Sequence, residues 1–228
     1  MTFGTTPAAS TSVNKAEQEQ SLGQVVFGGA PIGVRQILDI AEGRAGVALS
    51  SDPQVREALG AGARLLAERL AAGDRIYGVT TGFGESCLTT VPDAEVPSLP
   101  LNLLRFHGCG TGRIFDEVEA AAIVAARLAS LVSGWSGVRV ELIERLVLLL
   151  DRRVLPQIPA EGSVGASGDL TPLSYIAALL VGERECSFEG RVRTASEVLD
   201  ELGLAPLTLA PKESLAVMNG TSVMTGLV

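Results

Sequence analysis

The segment Glu161-Gly162-Ser163-Val164-Gly165-Ala166-Ser167-Gly168-Asp169-Leu170 has the most distinctive chemical potential in this 228-residue chain. Its glycines let the backbone turn tightly and approach itself. If the Gly168 nitrogen is forced onto the carbonyl carbon of Ala166, a five-membered ring can close. Loss of two waters then leaves an exocyclic methylene derived from Ser167. Gly168 carries no side chain to block the approach, and Ala166 is small enough for a cramped turn. The product is an electrophile, a chemistry absent from the twenty side chains. The same triplet also reads as a plain Gly-rich turn ahead of a helix starting at Asp169, where a carboxylate suits the positive end of the helix dipole. A phosphate loop is excluded, because the Walker pattern needs a Lys followed by Ser or Thr and this segment has no Lys.

The rest of the inventory narrows the chemistry. His107 is the single histidine, which excludes a His-based zinc site or a two-histidine mechanism within this chain. Cys87, Cys109 and Cys186 are odd in number, far apart and without a CxxC. That excludes a disulfide framework or zinc knuckle, fits a reducing cytoplasm, and leaves the three as small buried hydrophobes. The net charge of −8 argues against a nucleic-acid partner. An apolar content of 46% supports a real core. No secretory signal is visible, and no apolar run reaches the ~18–20 residues of a membrane helix. The expectation is a soluble, cytoplasmic protein without a membrane partner.

The elements that must position the triplet are mainly helical. Residues 1–24 lack apolar periodicity and are expected to form a flexible tail; 25–228 are expected to be the N-terminal part of a domain incomplete at its C-terminal end. Val25–Gly29 reads as a short strand and turn. Helices are expected over 32–42, 54–70 (with Val55, Leu59, Leu66 and Leu70 on one side), 99–106, 116–132, 138–154 and 169–181. Asp116 is a credible N-cap. A small hairpin is expected over 186–193, a short helix over 195–202, and a last helix from Lys212 still running at Val228. Trp135 is expected to pack at a helix junction.

Three motifs, YGVTTGFG at 77–84, GSVGASGDLTPL at 162–173 and NGTSVMTG at 219–226, make residues 25–228 resemble the histidine, phenylalanine and tyrosine ammonia-lyase and aminomutase family. The match is to the N-terminal part of a chain usually more than twice as long. The resemblance implies a mainly α fold, the start of a long central helical bundle, and a homotetramer. It implies that Ala166-Ser167-Gly168 forms the cofactor 4-methylidene-imidazol-5-one (MIO) autocatalytically, without metal. It makes Tyr77 the base that takes the β-proton, a task for which a phenol of unperturbed pKa ~10 needs electrostatic help. It places Asn219 against the cofactor and the substrate amine, and gives Asp169, with Leu170 beside it, a supporting role in ring closure. Gly78, Gly82 and Gly84 let their loop lie against the site.

In NLLRFHGCG, where the family reads the substrate side chain, this sequence has Phe106-His107. Phe106 can pack on an aryl ring and His107 can hydrogen-bond a phenol or imidazole. The run DLTPLSYIAALLVGERE leans toward an aromatic substrate of the Phe or Tyr type. The implied reaction is elimination of ammonia from an aromatic L-amino acid to an arylacrylate. The alternatives are an aromatic 2,3-aminomutase, a histidine ammonia-lyase and a non-catalytic, partner-binding piece. The family's carboxylate-binding Arg, second Tyr, and Gln and Glu contributors fall beyond residue 228 in family order. A C-terminal part or complementing chain is therefore expected, and an isolated monomer is expected to be inactive.

Overall fold

The computed structural model describes residues 23–164 and 168–228. The Ala166 and Ser167 assignments and the proposed 1–24 tail up to residue 22 lie outside the described residues. The chain opens with a β-α-β unit. Strand β1 (Gly23–Phe27) pairs in parallel with β2 (Ala45–Leu49), with Val25 opposite Val47, across helix α1 (Val34–Ala41). Strand β1 thus starts two residues before the expected Val25. Helix α2 (Pro53–Ala71) begins where Ser-Ser-Asp-Pro signals it: the Asp52 carboxylate accepts the Gln54 N–H at 2.8 Å. Of its four expected inward residues only Leu59 is fully buried, so α2 lies on the surface.

The core is built on α4 (Glu117–Leu131), α5 (Val140–Asp151) and α6 (Leu170–Leu180). Helix α4 starts at a capping box. The Asp116 carboxylate accepts the N–H groups of Val118 and Glu119, and Glu119 reaches back to the Asp116 N–H, all at 2.9 Å. Its AAAIVAARLASL run buries Ile123, Leu128 and Leu131 completely. Helix α5 covers one side of it, and Asp151 at the end of α5 accepts the Val47 N–H at 2.8 Å, tying the bundle to β2. Helix α3 (Leu99–His107) packs on α6. Strand β3 (Thr111–Ile114) pairs with β5 (Pro159–Glu161), while β4 (Leu155–Pro156), β6 (Glu185–Phe188) and β7 (Arg191–Thr194) form an antiparallel sheet, followed by α7 (Ala195–Glu201). The expected hairpin is β6–β7.

Four expectations are corrected. The last helix is two, α8 (Glu213–Met218) and α9 (Ser222–Leu227), broken at Asn219-Gly220-Thr221, where Asn219 is extended (φ −93°, ψ 110°). Trp135 does not pack at a junction but is 90% exposed, in a turn flanked by Gly134 and Gly137, both with positive φ. Of the cysteines only Cys186 is buried, and burial pushes its thiol up to about 11; Cys109 is exposed and Cys87 half-buried. Asp169 does not cap α6, because its side chain is turned to other partners. Among the described residues no helix is long and apolar enough to cross a membrane.

Candidate active site

Tyr77 and its loop form one wall of the site. Gly78 has φ +68°, and a Cβ there would lie 2.6 Å from Leu215 Cδ2 and 2.8 Å from Phe83 Cε1. Only glycine lets the loop lie this close to α8. Buried Thr81 accepts the Gly78 N–H at 3.1 Å, and the chain returns through a Thr81–Thr90 bridge. The phenol oxygen of Tyr77 accepts the Gly84 N–H at 3.0 Å, which fixes its position while the residue stays 53% exposed.

Helix α3 delivers Phe106 and His107 opposite. Phe106 is 79% exposed, and its ring meets His107 edge-on at 5.1 Å between centroids. His107 Nδ1 lies 3.0 Å from the Leu103 carbonyl oxygen. A carbonyl only accepts, so Nδ1 donates, and Nε2 is the acceptor of the neutral ring.

The floor is the α8–α9 break. Asp169 N–H donates to Gly220 O at 2.7 Å. The buried Asp169 carboxylate accepts Ser163 Oγ–H at 2.7 Å on one oxygen and the Val223 N–H at 3.0 Å on the other. A carboxylate at the start of α9 thus pins Asn219-Gly220-Thr221 onto the segment leading into α6. Gly168 has φ +103°, and a Cβ on it would lie 2.7 Å from Gly220 N. Main chain therefore packs directly on Gly168, the described residue of the triplet, and leaves room there for no side chain.

These elements enclose a cleft of about 730 Å³ whose lining includes Tyr77, Gly84, Phe106, His107, Leu170 and Asn219. Of the described residues assigned to the site from the sequence, Tyr77, Gly84, Phe106, His107, Leu170 and Asn219 line it, while Gly168 and Asp169 contact Gly220, next to Asn219. An adjoining cleft of about 380 Å³ shares Tyr77 and Asn219 and adds Arg127, Ser136 and Lys212. Sequence reasoning missed Arg127 and Lys212. The signal for Arg127 was a lone arginine inside an otherwise apolar helical run.

The fold and this cleft define a mainly helical protein with Gly168 packed against the break between α8 and α9, and similarity to known proteins gives the family. The sequence profile of the aromatic amino acid lyases matches residues 32–228, and the chain belongs to that family. It is 43% identical over 202 residues to a histidine ammonia-lyase of Sorangium cellulosum, covering 87% of this chain and 39% of that one. It is 50% identical over 152 residues to an MIO-dependent tyrosine 2,3-aminomutase of Streptomyces globisporus, covering 67% of this chain and 28% of that one. The solved tyrosine aminomutase from Streptomyces globisporus superposes with a TM-score of 0.83 at 40% identity, over 90% of this chain and 38% of that one. Histidine ammonia-lyase from Trypanosoma cruzi superposes with a TM-score of 0.79 at 29% identity, over 90% of this chain and 39% of that one. The chain thus spans about two-fifths of the length of such relatives.

Proposed function

We propose that this chain carries the N-terminal, cofactor-bearing part of an MIO-dependent enzyme that eliminates ammonia from an aromatic L-amino acid to give an arylacrylate. The observation that carries the reading is one cleft lined by Tyr77, Phe106, His107 and Asn219, with Gly220, the neighbour of Asn219, packed on Gly168. MIO, formed from Ala166-Ser167-Gly168, supplies an electrophilic carbon that makes the substrate's amino group a better leaving group. Tyr77, its oxygen held by the Gly84 N–H, takes the β-proton. Asn219 offers a donor and an acceptor to the amine region from the extended break between α8 and α9. Asp169 acts in ring closure by fixing Gly220 over Gly168.

Exposed Phe106 offers its face to the substrate ring. His107 Nε2, an acceptor, matches a ring carrying a donor, which favours tyrosine over phenylalanine. Histidine also carries a ring donor, and the histidine ammonia-lyases among the relatives favour it as the second reading. Return of the amine to the β-carbon would make the enzyme a 2,3-aminomutase with the same residues. The reading includes a homo-oligomer and a C-terminal polypeptide, in the same chain or a separate one, that supplies the carboxylate-binding arginine.

The test is to incubate the natively purified protein, assembled with the C-terminal polypeptide that completes the site, with L-tyrosine, L-histidine and L-phenylalanine. Ammonia and an arylacrylate are to be followed, with the β-amino acid separated by chromatography. Turnover is expected with tyrosine ahead of phenylalanine. Absence of turnover with all three would contradict the proposal.

A further inference from the structure

Arg127 is 4% exposed, its Nε has no hydrogen-bond partner, and burial pushes its pKa down to about 10. Among the described residues it is in no ion pair, and such a cation is expensive to keep in a helix core. What it touches is specific. One guanidinium nitrogen, Nη2, donates to the carbonyl of Ala216, in the last turn of α8, where carbonyls lack helical partners and a cation suits the dipole. The other, Nη1, occupies the place a Cβ on Gly220 would take. Gly220 is not among the glycines with positive φ, so a side chain here would be opposed by the Arg127 guanidinium and not by backbone conformation. Gly220 N also stands 2.7 Å from where a Cβ on Gly168 would come. Gly220 thus touches both the guanidinium and Gly168, and its neighbour Asn219 lines the cleft.

We infer that Arg127 is a positioning residue for cofactor formation, holding Gly220 against Gly168 so that the Gly168 nitrogen is driven onto the Ala166 carbonyl carbon. This rests on the function proposed above. In the closure a bond forms from the Gly168 nitrogen to the Ala166 carbon. The Ala166 oxygen leaves as water with the amide hydrogens of Gly168 and Ser167. A second water takes the Ser167 hydroxyl and its α-hydrogen. No oxidant or metal is consumed. Arg127 takes no proton and touches no reacting atom; it limits the freedom of the turn that confines the attacking nitrogen.

The test compares natively purified wild type with Arg127→Met, Arg127→Lys, Gly220→Ala and the Arg127→Lys/Gly220→Ala pair. Two quantities are read: the mass of the peptide spanning Ser167, and amide exchange at Asp169 and Val223. The wild-type peptide is expected to be lighter by two waters. Arg127→Met should fold, with wild-type circular dichroism, yet dehydrate about 100-fold more slowly, the scale of a small misplacement. Arg127→Lys should be intermediate. Gly220→Ala should also fail to dehydrate, and pairing it with the slimmer lysine should recover part of the loss. Equal dehydration in wild type and Arg127→Met, or no recovery in the pair, overturns the inference. If Arg127→Met does not fold, the lysine and Gly220 variants decide alone. If the wild-type triplet is itself unreacted, the proposed function fails. Exchange then judges Arg127: about tenfold faster at Asp169 and Val223 with α5 unchanged supports it, and unchanged exchange overturns it.

Discussion

Arg139 and Arg127 both reach into the α8 segment, and the fold treats them in opposite ways. Arg139 grips Glu213, which is 1% exposed, through Nε at 2.9 Å and Nη2 at 2.8 Å. The same carboxylate accepts the N–H groups of Arg139 at 3.0 Å and Ala210 at 2.7 Å. Every charge there is answered, and the Glu213 hydrogen bond raises the Arg139 pKa. Arg127 has a carbonyl and a glycine instead of a carboxylate, and its pKa falls to about 10. Because that shift is downward, the unfolded chain holds the proton more tightly. The penalty is therefore complete at neutral pH and is relieved only as pH rises above about 10. The first arginine anchors the start of α8; the second stands at its end, beside Gly220, which packs on Gly168. Glu213 compensates the Arg139 charge, whereas no carboxylate among the described residues compensates that of Arg127.

The largest effect expected is outside the pair. Ser167→Ala removes the source of the methylidene carbon, and kcat/KM should fall by at least about 10⁴-fold; steady-state assay on the natively purified protein checks this. Tyr77→Phe keeps the ring and removes the proton acceptor, with an expected loss of about 10²–10⁴-fold in kcat and a triplet still dehydrated by mass. The comparison itself is broken by swapping the two arginines for methionine. Arg139→Met strands the Glu213 carboxylate and should cost about 3–5 kcal/mol by urea unfolding, without preventing triplet dehydration in the folded fraction. Arg127→Met should cost about 1 kcal/mol or less, since it also removes an uncompensated charge. Equal stability losses in the two variants would erase the distinction. The smallest effect concerns specificity: His107→Phe should shift the tyrosine-to-phenylalanine ratio of kcat/KM by about tenfold toward phenylalanine, the scale of one hydrogen bond.

Much of the fold was legible because α4, α5 and α6 carry long apolar runs and clear starts, Asp116 above all. Strands β2 and β3 were not: AGVAL buries only Val47 and TGRI buries nothing, so neither shows an alternating face. The break at Asn219 escaped because the apolar periodicity of SLAVMNGTSVMTGLV continues across it. What ends α8 is long-range, the Asp169 carboxylate and main chain holding the start of α9 and Gly220. For the site, local motifs located Tyr77, Gly84, Asn219 and the triplet. Their convergence with Phe106 and His107 on one cleft depends on α3 and α8 both packing on α6. Arg127 was hidden for the opposite reason: its helix reads as core, and its role exists only through Gly220, 93 residues further along the sequence.

The proposed function stands or falls with an electrophile built from the chain's own Ala166-Ser167-Gly168. Mass spectrometry of the natively purified protein, intact and digested, tests it most directly. A peptide spanning Ser167 that is lighter by two waters than its sequence mass is the predicted result. A peptide of unaltered sequence mass would contradict the account.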